Sequence, residues 1–231
     1  MRGLARAIGV FSLATAAAIA ADQMESKWAA EDVSVDTNPN SRFWRAAPRV
    51  FAERDTKGDA VAGYRMQVRS RWTARNLYFL FTCPYVQLFL KPDPKTEIET
   101  NQLWKWDVAE VSIGSDFKNI RKYKEFEVSP QAEWVDLDID LDAPHQEDGW
   151  TWNSGFQASA RVDAANKAWY AFMRIPYIAI DSRTAARGNI LRVNLFLSEG
   201  ARPNHKSIVW QPTHRPSFHT PKVFGELKLV D

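Results

Sequence analysis

The stretch Tyr64-Arg65-Met66-Gln67-Val68-Arg69-Ser70, followed beyond a turn at Asn76 by Leu77-Tyr78-Phe79-Leu80-Phe81-Thr82-Cys83, decides the fold class. In the first run Tyr64, Met66, Val68 and Ser70 alternate with Arg65, Gln67 and Arg69, a repeat of two that belongs to a half-buried strand. The second run is apolar on both faces and ends at Pro84, as a central strand does, so the two are expected to form a hairpin. Eight further candidate strands follow at short intervals: 108–113, 123–128, 134–141, 156–162, 169–175, 191–197, 208–210 and 224–229. Strands of this length and spacing predict an all-β, two-sheet antiparallel sandwich of jelly-roll type. A short helix is expected over 177–186 and an irregular segment before Arg49, and no repeat of solenoid length occurs.

At the N-terminus, Arg2 and Arg6 precede an apolar run from Ala7 to Ala20, too short to span a bilayer. With the Ala18-Ile19-Ala20 pattern at its end it reads as an export leader cleaved after Ala20. The expected organisation is therefore a signal peptide at 1–20 and one domain at 21–231, secreted or periplasmic, with no membrane span once the leader is removed. The leader carries two of the 30 Lys and Arg and none of the 28 Asp and Glu, so the remainder is formally neutral. A nucleic-acid partner finds no support in that balance. The single cysteine, Cys83, excludes an intrachain disulfide and a cysteine-based metal site, and reads as a buried thiol. Stability must come from the core, to which 13 Phe, 10 Trp and 6 Tyr contribute.

Searches for catalytic patterns return nothing: there is no G-x-S-x-G, H-E-x-x-H, P-loop or G-x-G-x-x-G. A hydrolase of O-glycosyl bonds would need two carboxylates roughly 5 to 9.5 Å apart across a cleft. Asp107 and Glu110, three apart on a strand, should point to opposite faces and make a poor pair. No catalytic residue is assigned. The segment Trp134-Val135-Asp136-Leu137-Asp138-Ile139-Asp140-Leu141-Asp142 sets four aspartates on one strand face, where neighbours lie roughly 6.8 Å apart, too far to close around one calcium ion without a turn. It reads as a solvated face. His145, His205, His214 and His219 fall in turn-like sequence. What is unusual is the placement of Trp104, Trp106, Trp150, Trp152 and Trp210 at strand ends or in loops, where a flat ring can stack on a sugar.

Leu103-Trp104-Lys105-Trp106-Asp107-Val108-Ala109-Glu110-Val111 resembles the W-x-x-D-x-x-E segment of family 9 carbohydrate-binding modules. Asp36 with Trp44 and Ala47 resembles that family's opening, and Leu77-Tyr78, Tyr123 to Pro130 and Trp169 to Pro176 resemble its successive strands. Arg192-Val193-Asn194, Ile208-Val209-Trp210 and Pro221 to Leu227 are similar to its closing segments. The resemblance implies a jelly-roll-like β-sandwich that binds a carbohydrate without catalysis, in support of carbohydrate catabolism or of a glycoside hydrolase, with calcium as a possible loop-stabilising ion. It implies stacking positions at Trp104 and Phe218 and a hydroxyl-binding carboxylate at Glu110, with Trp210 nearby. Glu127 and Ser129 stand where sugar-binding members carry Arg and Asn, so the polar half of the site has changed. Related DOMON-type sandwiches bind haem for electron transfer through Met and His, for which Met66 or Met173 with a loop histidine would serve.

Overall fold

The computed structural model describes residues 22–231, so the leader expected at 1–20 lies outside the described residues. Twelve strands run in the order β1 (Gln23–Trp28), β2 (Arg49–Ala52), β3 (Met66–Trp72), β4 (Asn76–Pro84), β5 (Val108–Gly114), β6 (Lys122–Val128), β7 (Trp134–Asp140), β8 (Gln157–Asp163), β9 (Ala168–Pro176), β10 (Ile190–Glu199), β11 (Lys206–Val209) and β12 (Gly225–Val230). The hairpin expected first is present as β3 and β4, antiparallel, with Val68 opposite Phe81 and Ser70 opposite Phe79.

Hydrogen bonding follows the path β7-β6-β5-β10-β12-β1-β3-β4-β9-β8, with β11 beside β10 and β2 beside β3. The path folds over on itself, bringing β6 against β8 and β9. One layer is then β7-β6-β5-β10-β12, the other β3-β4-β9-β8, and β1 joins them by pairing parallel with both β12 and β3. That strand went unread because Gln23–Trp28 alternates with few apolar residues, and its two parallel pairings make the sheet mixed rather than purely antiparallel. Between the layers Phe79, Phe81 and Met173 meet Val111, Phe126 and Leu195 in one core. Each fully buried Phe there contributes roughly 1.5–3 kcal/mol.

Two local expectations change. The polar face of β3 is not solvated: Arg69 and Arg71 are buried beneath the segment that carries α1 (Arg42–Arg45). The Arg69 guanidinium donates to the carbonyls of Pro39 and Trp44, and that of Arg71 to those of Lys27, Trp28 and Phe43. Satisfying so many carbonyls is what makes burial of two cations tolerable. Trp44 of the same strap packs with Tyr78, Leu80 and Phe172 beneath it, closing the outer face of that layer. The helix expected over 177–186 shortens to the 3-10 turn Tyr177–Ala179. Asp181 accepts from the Arg183 backbone amide, from its guanidinium and from the Tyr177 hydroxyl, a local network that competes with helical hydrogen bonding.

The β7 segment also differs in its polarity. Asp138 and Asp140 are paired with Lys124 and Lys122 as a solvated face would allow, but Asp136 is fully buried and accepts from the amide and hydroxyl of Ser154. Val135, Leu137 and Ile139 face away from the main core and join Leu103, Val108, Tyr123 and Phe224 in a second cluster. The outer face of this layer is thus the one left open for a site.

Candidate functional site

Strand parity builds the site. On the outer face of the β5–β6–β10 layer, Glu127 lies opposite Glu110, Glu125 opposite Ser112, and Phe196 opposite Glu110 on its other side. Glu110, Glu125 and Glu127 floor a cleft of about 940 Å³, near the upper end of ordinary small-molecule sites. Trp104, Glu110, Glu127 and Phe218 all line it, joined by Glu125 and His219. Trp104 sits on the 3-10 turn Leu103–Lys105, anchored by the fully buried Leu103 beside it and packed against the second cluster. Phe218 comes from the loop after β11 and stacks on Phe196, with ring centroids 4.3 Å apart and planes 15° from parallel.

Ser129 and Trp210, both expected in the site, do not line the cleft. Ser129 is drawn into the β6–β7 turn, where its hydroxyl accepts from the amides of Gln131 and Glu133. Trp210 shares parity with Ile208 and points with it into the main core, 9% exposed. Asp107 is likewise structural: its carboxylate accepts from the amides of Phe89 (2.8 Å) and Gly200 (2.6 Å), fixing two loops at the cleft's edge.

Glu110, Glu125 and Glu127 are 3%, 5% and 0% exposed. Glu110 accepts from the Ser112 hydroxyl at 2.8 Å. No donor other than a neighbouring carboxyl reaches either oxygen of Glu127 or Oε2 of Glu125, and the Glu125 and Glu127 carboxyls lie within hydrogen-bonding reach of each other. Burial, reinforced by the neighbouring carboxylate, pushes all three well above the usual carboxylate range. His219 shares a 2.6 Å hydrogen bond through Nδ1 with the Tyr123 hydroxyl, and burial lowers its pKa, which favours the neutral ring. Glu125, Tyr123 and His219 were not expected in the site, although Tyr123, Glu125 and Glu127 are spaced by two on one strand, which places them on one face. The three glutamates stand side by side on one floor rather than across the cleft, so no pair flanks a scissile bond as a glycosidase requires.

Burial raises Asp107 to about 7 despite its two backbone donors, and the nearby Glu199 charge adds to the rise. Its folded-state pKa thus lies above the unfolded value near 4, so between about pH 4 and 7 the folded protein holds the extra proton and stability falls as pH rises. Scanning calorimetry should show a melting temperature a few degrees higher at pH 5 than at pH 8, with the difference reduced in Asp107→Asn.

No family model matches the sequence, and no curated protein matches it either. Solved structures do match. A family 9 carbohydrate-binding module from Caldicellulosiruptor kristjanssonii, in complex with cellotriose, superposes with a TM-score of 0.64 over 90% of this chain and 94% of its own, at 12% identity. A family 9 module of the same organism in complex with glucose gives a TM-score of 0.64 at 14% identity, covering 90% and 95%. The fold is that of the family 9 carbohydrate-binding modules. A candidate carbohydrate-binding protein from Bacteroides uniformis is similar over 91% of this chain and all of its own, with a TM-score of 0.69 at 13% identity. Within the family 9 fold, Met66 and Met173, the haem-ligand candidates, are both fully buried in the main core cluster, whereas His145, His205 and His214 are exposed and His219 is half-buried.

Proposed function

We propose that the cleft binds a carbohydrate and performs no chemistry on it, and that the protein does so outside the cytoplasm after removal of residues 1–20. The observation that carries this reading is the convergence of an indole, a phenyl ring and carboxylates on one cleft: Trp104, Phe218, Glu110 and Glu127. Aromatic faces take up the apolar C–H surface of a pyranose while acceptor oxygens take its hydroxyls. The neighbours solved with cellotriose and with glucose favour the same ligand class. A role in carbohydrate catabolism, or beside a glycoside hydrolase, follows as the setting for such a module.

The test is retention on immobilised polysaccharides and a glycan array, with the wild type against Trp104→Ala. Trp104 is partly exposed, so its loss should leave the melting temperature within a few degrees. Retention should fall by roughly tenfold or more, equivalent to about 1.4 kcal/mol. Absence of binding across a broad panel would remove the carbohydrate reading. Expression of the full chain followed by N-terminal sequencing of the extracytoplasmic fraction should give a mature start at Ala21.

A further inference from the structure

Asp136, Asp138 and Asp140 lie along β7 with Asp142 in the turn beyond it, whereas the glutamates of the cleft floor are assembled across two strands. Glu110 and Glu127 are register partners and Glu125 is the next outward position on β6. Cross-strand partners stand only about 4.5–5.5 Å apart at Cβ, which brings their carboxylates together. One oxygen from each of the three lies within 4.8 Å of the other two. Oxygens bound to a common calcium ion at about 2.3–2.6 Å are separated by up to roughly 5 Å, so the spacing fits a cation among them.

A second observation points the same way. Glu127 is fully buried, lines the cleft, and has no hydrogen-bonding neighbour except the Glu125 carboxyl, to which it can bond only by sharing a proton. Buried carboxylates are ordinarily paired with donors, or coordinate metals. Among the described residues no lysine or arginine is in ion-pair contact with the three; Lys105, Arg202 and His205 line the same cleft without reaching them, and His219 Nδ1, 3.8 Å from Glu125, is already engaged by Tyr123. We propose that Glu110, Glu125 and Glu127 form a binding site for a hard divalent cation of the calcium or manganese class. Carboxylate oxygens select such ions over soft metals. Ser112 steadies Glu110 from the same strand face. Three carboxylates leave part of a six- to eight-oxygen shell open toward the cleft, for water or for a ligand's hydroxyls. The cation site does not depend on the carbohydrate reading.

The test uses Ca²⁺ and Mn²⁺ separately, each added to chelator-treated full-length protein, with binding read by titration calorimetry and by the shift in melting temperature. At least one ion should bind with one-to-one stoichiometry and raise the melting temperature. Glu127→Gln should weaken that binding by roughly 100-fold, whereas Asp138→Asn, on the exposed Lys124 pair, should leave it unchanged. Trp104→Ala should still bind the ion, which separates this result from the fate of carbohydrate binding. Absence of binding by both ions up to millimolar concentration, or binding that survives Glu127→Gln, overturns the site and leaves the three carboxyls neutralised by protons alone.

Discussion

Gly225→Val is expected to destabilise the protein by roughly 3 kcal/mol, measured by urea denaturation. A Cβ added at Gly225 would lie 2.5 Å from the Asp22 carbonyl oxygen and 2.7 Å from two carbons of the Trp210 ring. The position is the start of β12, where the parallel pairing with β1 closes one layer onto the other and the Glu226 amide donates to the same Asp22 carbonyl. Backbone sits on one side and a core indole on the other, so neither can yield cheaply. Trp210→Leu should offset part of the cost by removing the ring, making the pair less than additive, while the Asp22 contact persists. The same cycle separates the two roles considered for Trp210. If it is a core residue, Trp210→Leu alone costs stability and leaves carbohydrate retention unchanged.

How far the sequence discloses the fold depends on how much of the information is local. The hairpin of β3 and β4 and the strands from β5 to β12 announce themselves through a period of two, because their faces differ in polarity or are wholly apolar. β1 and β2 do not: Gln23–Trp28 and Arg49–Ala52 have burial that depends on strands far along the chain. Arg69 and Arg71 look like solvent-facing residues by the same logic, and only the overlying strap, whose carbonyls they bind, makes them interior.

The site divides along the same line. Trp104, Glu110, Glu127 and Phe218 share the cleft because motif order and strand parity place them there. Trp210 and Ser129 fail for local reasons, core-facing parity in one and a turn in the other, which a motif does not encode. The cluster of glutamates needed the β5–β6 register: Glu110 and Glu127 are far apart in sequence, and nothing local says they are directly opposite. The apolar side of β7 was legible as apolar but not as the side that supports the cleft, since either face of an outer strand can serve as interior when loops cover it.

The glutamates also set the second large effect: in the absence of divalent cations Glu127→Gln should be more stable than the wild type, by roughly 1–4 kcal/mol at pH 8. At pH 8 the wild type must either hold like charges together in a buried site or keep protons that the same carboxyls release in the unfolded chain, and either course lowers its stability. Glutamine keeps the volume, is neutral without holding a proton, and its amide can donate to the carboxyl oxygens of Glu110 and Glu125. Glu125 Oε2 accepts from no N–H donor within hydrogen-bonding distance and stands ready to take the amide. Urea denaturation in chelator reads the gain as a rise in midpoint with an unchanged slope. Saturating cation should narrow or reverse the ranking, because an ion that binds only the folded wild type adds stability that the variant does not receive. A variant less stable than the wild type in chelator would instead make Glu127 a hydrogen-bonded structural residue. A stabilised variant would identify the cluster as a local instability retained on the cleft floor, the pattern expected where binding rather than folding determines the residue.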